Sequence, residues 1–253
     1  MINESMKYVR FDWAAKRMLR DKTNFAILEG FISDLTNEKV KITEILEREG
    51  IWKIENDKFS PIDIKAKNEK GEIILIVIQQ IREWYYLLRK YGVDKSIIGQ
   101  IDIGDKYGNI KKIYSISIVY FDHGEGRDFV YHGQDVLKGI HTGYTLELTD
   151  KVKDVILCNV TSKDVFPEYY IIRVNEFNKV ATTPLEEWLD YLKNAHIKDD
   201  TTVPGIQEVK KKLLYALLSK EEQLAYDDYI DAIMTQNGVL AAYRMEDEID
   251  GEK

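Results

Sequence analysis

SPIDIKAKNEKGEIILIVIQQ, residues 60–80, is the stretch on which the fold turns. Residues 62–67 (IDIKAK) alternate as a half-buried strand does, and NEKG at 68–71 reads as a tight turn. EIILIVIQ at 72–79 is a continuous β-rich run, the pattern of a buried strand. A hairpin of this length brings its two ends together, so Asp63 is expected beside residues 77–79. Residues 77 and 79 share a face because strand side chains alternate with period two.

Outward from this hairpin, the pattern on the N-terminal side is helical. From residue 11 onward the first strong signal is Phe25, Leu28, Phe31, Ile32 and Leu35 at spacings of three and four. Glu29 falls on that apolar arc, so it is either rotated out at the edge or drawn into a site. On the C-terminal side, Trp84, Leu87, Leu88 and Tyr91 recur at helical spacing. KKIYSISIVYF at 111–121 reads as a second central strand, DHGEGRD as a turn, FVYHG as a shorter strand and YYIIRV at 169–174 as another.

After about residue 180 the pattern becomes helical. Thr183-Pro184-Leu185-Glu186 is a capping box with proline at the first helical position. Ile206, Val209, Leu213, Ala216 and Leu217 make a second helix, and Tyr226, Tyr229, Ile230 and Ile233 a third. The order predicts an α/β fold with a mixed central sheet flanked by helices over 1–180, followed by a helical C-terminal region with an acidic tail over 181–253.

Composition narrows the function classes. The 253 residues carry 36 Lys+Arg against 44 Asp+Glu, a formal charge of −8, which argues against a protein that coats nucleic acid by bulk electrostatics. It leaves room for a localised cleft, because MEDEIDGEK at the C-terminus concentrates acids while Lys7, Arg10, Lys16, Arg17, Arg20 and Lys22 crowd the N-terminal stretch. The longest apolar run, IILIVI at 73–78, is far too short to span a bilayer, and the first residues contain no signal-like run. Cys158 is the only cysteine, which excludes an internal disulfide and a multi-cysteine zinc site and fits the reducing cytoplasm. It sits in an apolar run, DVILCNV, as a small core residue would.

An acid on one strand, with a second acid two residues before a polar side chain on the next, suits magnesium-dependent phosphodiester hydrolysis. The acids hold the ion and the polar group orients water or meets developing charge. At these residues the chain resembles the PD-(D/E)XK nuclease family transposases, the recombination-promoting nucleases, whose pattern is an aspartate, a turn and then Glu-x-Gln. The resemblance also runs through FDWAAKRMLRDKTNFAILEGFISDL at 11–35, KKIYSISIVYFDHGEGRDFVYHG at 111–133, GIHTG at 139–143 and LEEWLDYLKN at 185–194. It implies a restriction-endonuclease-like core and a DNA endonuclease associated with mobile elements and recombination, with Mg²⁺ as cofactor and double-stranded DNA as partner. It further implies Asp63 as metal ligand, the main-chain carbonyl of Ile78 completing the metal shell, Gln79 as the polar third member, and Glu29 as auxiliary acid. Paired cuts by such folds raise the expectation of a homodimer.

One position departs. Val77 stands where the family has its metal-binding glutamate, and valine has no oxygen to offer a cation. Glu72 lies five residues earlier at the strand's start and cannot easily substitute, whereas Glu29 or Glu83 would have to migrate in. The resemblance therefore implies a nuclease fold with impaired or absent catalysis. The alternatives are a catalytically dead DNA-binding or protein-interaction module on the same fold, or a helical interaction protein acting through its C-terminal region.

Other motifs are read as structural. His123, His132 and His141 recur every nine residues, too far apart for one metal site within an element. The Trp84-Tyr85-Tyr86 cluster reads as core and helix face, and Lys210-Lys211-Lys212 as a solvated face, the alternative being a contact to a phosphate backbone.

Overall fold

The computed structural model describes residues 7–46, 63–80, 111–121, 125–136, 138–145 and 167–251, with side chains through 236 and at 238 and 239. The expected helix around Trp84, together with Glu83, His123 and Cys158, lies outside the described residues.

Helix α1 (Phe11–Arg17) carries Asp12 in its first turn and Lys16 and Arg17 in its last, the distribution that complements a helix dipole. A short 3₁₀ turn follows, opened by the Asp21 carboxylate accepting the Thr23 N–H, and leads into α2 (Phe25–Thr36). The periodicity that announced α2 is its buried face, and Asn37 ends it in the left-handed region at φ 55°.

Six strands form one mixed sheet: β1 (Ile42–Ile45), β2 (Ile64–Asn68), β3 (Ile73–Gln79), β4 (Ile113–Val119), β5 (Val130–Gln134) and β6 (Glu168–Arg173). Their order is β1-β2-β3-β4-β6-β5. β3, β4 and β6 run parallel in the centre, with antiparallel pairs at both edges. This is the restriction-endonuclease-like α/β architecture expected from the sequence. Every residue of β3 is buried, as its unbroken apolar run requires of a central parallel strand. β1 has no sequence signal of its own; four residues at a sheet edge are too few to show alternation.

Even-numbered β3 residues, Ile74, Ile76 and Ile78, join Ile116, Ile118 and Ile172 beneath the helices. There Phe11, Phe31, Trp188 and Tyr191 pack ring against ring at centroid distances of 5.3 to 6.4 Å. Burial of each such ring stabilises the fold by about 2–3 kcal/mol. Odd-numbered residues face the other side, where Ile73, Leu75 and Ile113 form a smaller cluster. Alternation therefore assigns Val77 and Gln79 to that second face.

The C-terminal region is helical as expected: α3 (Pro184–Asn194), α4 (Pro204–Lys212) and α5 (Lys220–Gly251). Trp188, Ile206, Val209 and Tyr226 from these helices belong to the main core. The capping box on α3 is offset by one residue. Thr183 accepts the Glu186 N–H at 3.3 Å, but the Glu186 carboxylate reaches back to Thr182 rather than Thr183.

Helix α4 stops at Lys212, short of Ala216 and Leu217, although the apolar spacing continues. Long-range pairing wins there over periodicity: Leu213 accepts the Val9 N–H at 2.7 Å and Tyr215 donates to Lys7 at 2.8 Å. Helix α5 restarts behind Ser219, whose hydroxyl and N–H are exchanged with Glu222 in a reciprocal cap. No helix among the described residues is long and apolar enough to cross a membrane.

Candidate functional site

The β2–β3 register pairs Ile64 with Ile76 and Lys65 with Leu75. Continued one step, it sets Asp63 opposite Val77. The chain leaves the regular ladder there, with the Asp63 N–H donated to Ile76 at 3.0 Å. The Asp63 side chain then takes over the pairing: its Oδ2 accepts the Ile78 N–H at 2.6 Å. Asp63 and the end of β3 are thus neighbours, as the short hairpin implied. A strand residue turns its N–H and C=O toward the same neighbour, so the Ile78 carbonyl also faces the β2 side. On the outer side, Arg20 Nη2 donates to the Asp63 carbonyl at 2.8 Å.

Val77 and Gln79 follow on the same face of β3. Val77 is buried, with 9% of its surface exposed, and a buried valine supplies packing without polarity. Gln79 is buried as well, and among the described residues its Oε1 has no hydrogen-bond partner. A buried acceptor left unpaired is costly, and a water, a donor or a cation would satisfy it. Its main-chain carbonyl accepts the Tyr120 N–H at 2.9 Å, which ties the ends of β3 and β4 together. On β2, burial lowers the pKa of Lys65 from its ordinary value.

Glu29 is not brought to this place. Its Oε1 accepts the Ile42 N–H at 2.8 Å, with Lys41 at 3.7 Å, so it fastens α2 to β1. Ile42 pairs with Asn68, at the far end of β2 from Asp63. Five strand residues span roughly 16 Å. The apolar arc of α2 did draw Glu29 inward, but toward main chain.

The acid at the end of β3 is Asp12, which spacing could not single out in a seven-residue helix. Asp12 is only 1% exposed. Arg10 grips it with Nε–Oδ1 at 3.1 Å and Nη2–Oδ2 at 2.9 Å, the Trp13 N–H donates at 2.9 Å, and Gln80 Nε2 donates from the residue after β3. Burial opposes the charge on Arg10, but hydrogen bonding and attraction to Asp12 outweigh it and raise the guanidinium pKa above its usual value. The root of α5 closes over this pair. The Tyr226 hydroxyl accepts the Arg10 N–H at 3.2 Å, and burial, then the charge of Asp12 and more weakly that of Asp63, push the Tyr229 hydroxyl pKa up. The one sequence cue was an acid flanked by Phe11 and Trp13 at a helix start.

Magnesium takes several oxygen ligands and usually one or two carboxylates. At the end of β3 the described oxygens include the Asp63 carboxylate, the Ile78 carbonyl and the Gln79 amide oxygen; the Val77 side chain adds none and Asp12 is committed to Arg10. Among the described residues, no group of three or more His, Cys, Asp or Glu could hold a metal ion. Among the described residues, the end of β3 thus offers one uncommitted carboxylate, that of Asp63.

His132 stacks on Tyr170 at 4.7 Å and meets Glu168 at 3.3 Å, while His141 lies exposed on a turn, so neither approaches Asp63 through these contacts. A family model described as PD-(D/E)XK nuclease family transposase matches residues 9–242. No curated protein and no solved structure matches the chain.

Proposed function

The chain belongs to the PD-(D/E)XK nuclease family transposases, and from that premise we propose a DNA endonuclease of the recombination-promoting type whose Mg²⁺-dependent hydrolysis is crippled at Val77. The family implies a DNA substrate, and its nucleases generally use divalent metals. The observation that carries the proposal is the bond from the Ile78 N–H to the Asp63 carboxylate, which sets Asp63 beside the end of β3 where Val77 stands in place of a second acid. In this reading Asp63 supplies the one remaining carboxylate, and the Gln79 amide oxygen accepts a hydrogen bond from the attacking water. The single cysteine supports a reducing, cytoplasmic setting, and a homodimer would place two such sites on opposite strands of a duplex.

A plasmid-nicking assay with Mg²⁺ or Mn²⁺, comparing the chain with Val77→Glu, tests the proposal. The glutamate form should nick faster by roughly 100-fold or more, the scale of restoring one group that meets developing charge. Its melting temperature should also rise with added Mg²⁺ more than that of the valine form, because a cation that binds only the folded state stabilises it. Equal nicking rates would sink the assignment of position 77.

The burial of Val77 favours a second reading, a DNA-binding module with no hydrolytic activity on the same fold. That reading expects salt-sensitive duplex binding by both forms and nicking by neither.

A further inference from the structure

Two cations lie close to Asp63, and among the described residues neither makes an ion pair. Lys65 follows Asp63 by two residues, in the second position of β2. Lys65 is half-buried, and among the described residues it has neither a hydrogen bond nor an ion pair from its ammonium. Arg20, in the turn after α1, is exposed, and its side chain's one hydrogen bond among the described residues goes to the Asp63 carbonyl, a neutral acceptor.

Among the described residues, the other buried or half-buried cations are committed. Arg10 is paired with Asp12 at 2.9 Å, Lys112 with Glu168 at 2.7 Å and Arg173 with Glu176 at 3.1 Å. The lysine run on α4 is also engaged. Lys211 and Lys212 reach Glu208 at 2.8 and 3.2 Å, and Lys210 donates to the Asp199 carbonyl at 3.0 Å. The most conspicuous basic motif in the sequence is therefore engaged within the fold, and among the described residues the half-buried cation without a counter-charge is Lys65.

We propose that Arg20 and Lys65 form a two-point clamp for a backbone phosphate of duplex DNA, seated beside Asp63. A half-buried ammonium without a counter-charge is unfavourable, and a phosphate oxygen supplies that charge. Arg20 is already held in place by its bond to the Asp63 carbonyl, which leaves its remaining donors for the same anion. Gln79 is neutral, so the positive charge near Asp63 comes from β2 and the α1 turn instead of β3. The clamp rests on the DNA reading above and adds to it the residues that would hold the strand.

The test is duplex binding by fluorescence anisotropy between 50 and 200 mM KCl, with EDTA present so that no divalent cation takes part, using the roughly 0.9 change in log–log salt slope expected for each phosphate contact. Arg20→Met and Lys65→Met should each flatten the slope by about that amount and weaken binding several-fold, whereas Lys39→Met, in an exposed loop, should leave both unchanged. Arg20→Lys and Lys65→Arg should keep the parent slope, since they keep the charge. If the parent binds with a steep slope and both methionine variants match it, the clamp is wrong while the DNA reading stands. Loss of slope in the charge-preserving variants would assign the two residues a structural role and overturn the clamp as well. A parent that fails to bind at 50 mM KCl would remove the DNA reading and the clamp together.

Discussion

The Asp63 carboxylate accepts the Ile78 main-chain N–H at 2.6 Å, so a side chain takes over where the β2–β3 ladder breaks. The residue expected to meet a cation is also the residue that closes the hairpin, and the two roles separate by substitution. Asp63→Ala leaves the Ile78 N–H without this acceptor in a half-buried place and should lower stability by about 1–3 kcal/mol. Asp63→Asn keeps an oxygen acceptor and should lose less than half as much. Urea denaturation of the two variants measures the difference; equal losses would show that charge, not hydrogen bonding, holds the hairpin end.

Arg10 and Asp12 form a buried bidentate pair beneath the root of α5. Removing either partner strands the other. Asp12→Asn and Arg10→Leu should each cost about 3–5 kcal/mol, while Asp12→Leu combined with Arg10→Leu should cost clearly less than the sum. Chemical denaturation of the full cycle gives the coupling. Additive losses would mean that Gln80 and the Trp13 N–H, rather than Arg10, carry Asp12.

Much of this architecture was legible in the sequence because it is local. The alternation of 62–67, the turn at 68–71 and the apolar run of 72–79 fix the hairpin and with it the nearness of Asp63 to Ile78. Thr183-Pro184 fixed the start of α3 for the same reason. What was not legible depends on distant chain. The role of Glu29 is set by the Ile42 N–H, thirteen residues on, in a strand too short to signal itself. Asp12 is set by Gln80, sixty-eight residues on, and a helix of seven residues offers too few positions for periodicity to mark a buried acid. The premature end of α4 is imposed by pairing with residues 7–9.

Glu186 makes the start of α3 sensitive to acid. Hydrogen bonding from Lys179 at 2.5 Å, and from the Thr182 hydroxyl and N–H at 2.7 Å each, outweighs burial and lowers its carboxyl from 4.5 to about 2. Because the folded value is the lower one, this stabilisation is fully present above about pH 4.5 and is lost as pH falls toward 2. Lys179 is half exposed, so solvent screening leaves about 1–2 kcal/mol. Glu186→Gln should lower stability by that amount at pH 7 and by progressively less below pH 4.5. Thermal melts of both forms from pH 7 to 2.5 should therefore converge on the acid side; a constant gap would assign the effect to packing.

The crossing of α2 and α4 rests on two glycines that meet backbone to backbone. A Cβ built on Gly30 would lie 2.5 Å from Gly205 Cα and 3.0 Å from its nitrogen, and one on Gly205 would lie 2.5 Å from the Trp188 ring. Backbone cannot move aside as a flexible side chain can, so the helices would have to separate and unseat Trp188, which is fully buried. Helix propensity alone favours alanine over glycine by about 1 kcal/mol. Packing predicts the opposite sign for Gly30→Ala, a loss of about 2–3 kcal/mol, with Gly205→Ala similar. Gly133 in β5 has nothing within 4 Å of an added Cβ, so Gly133→Ala should change stability by less than about 0.5 kcal/mol. Guanidinium denaturation of the three variants separates the two forces, and a stabilised Gly30→Ala would show that α2 and α4 have room to slide apart.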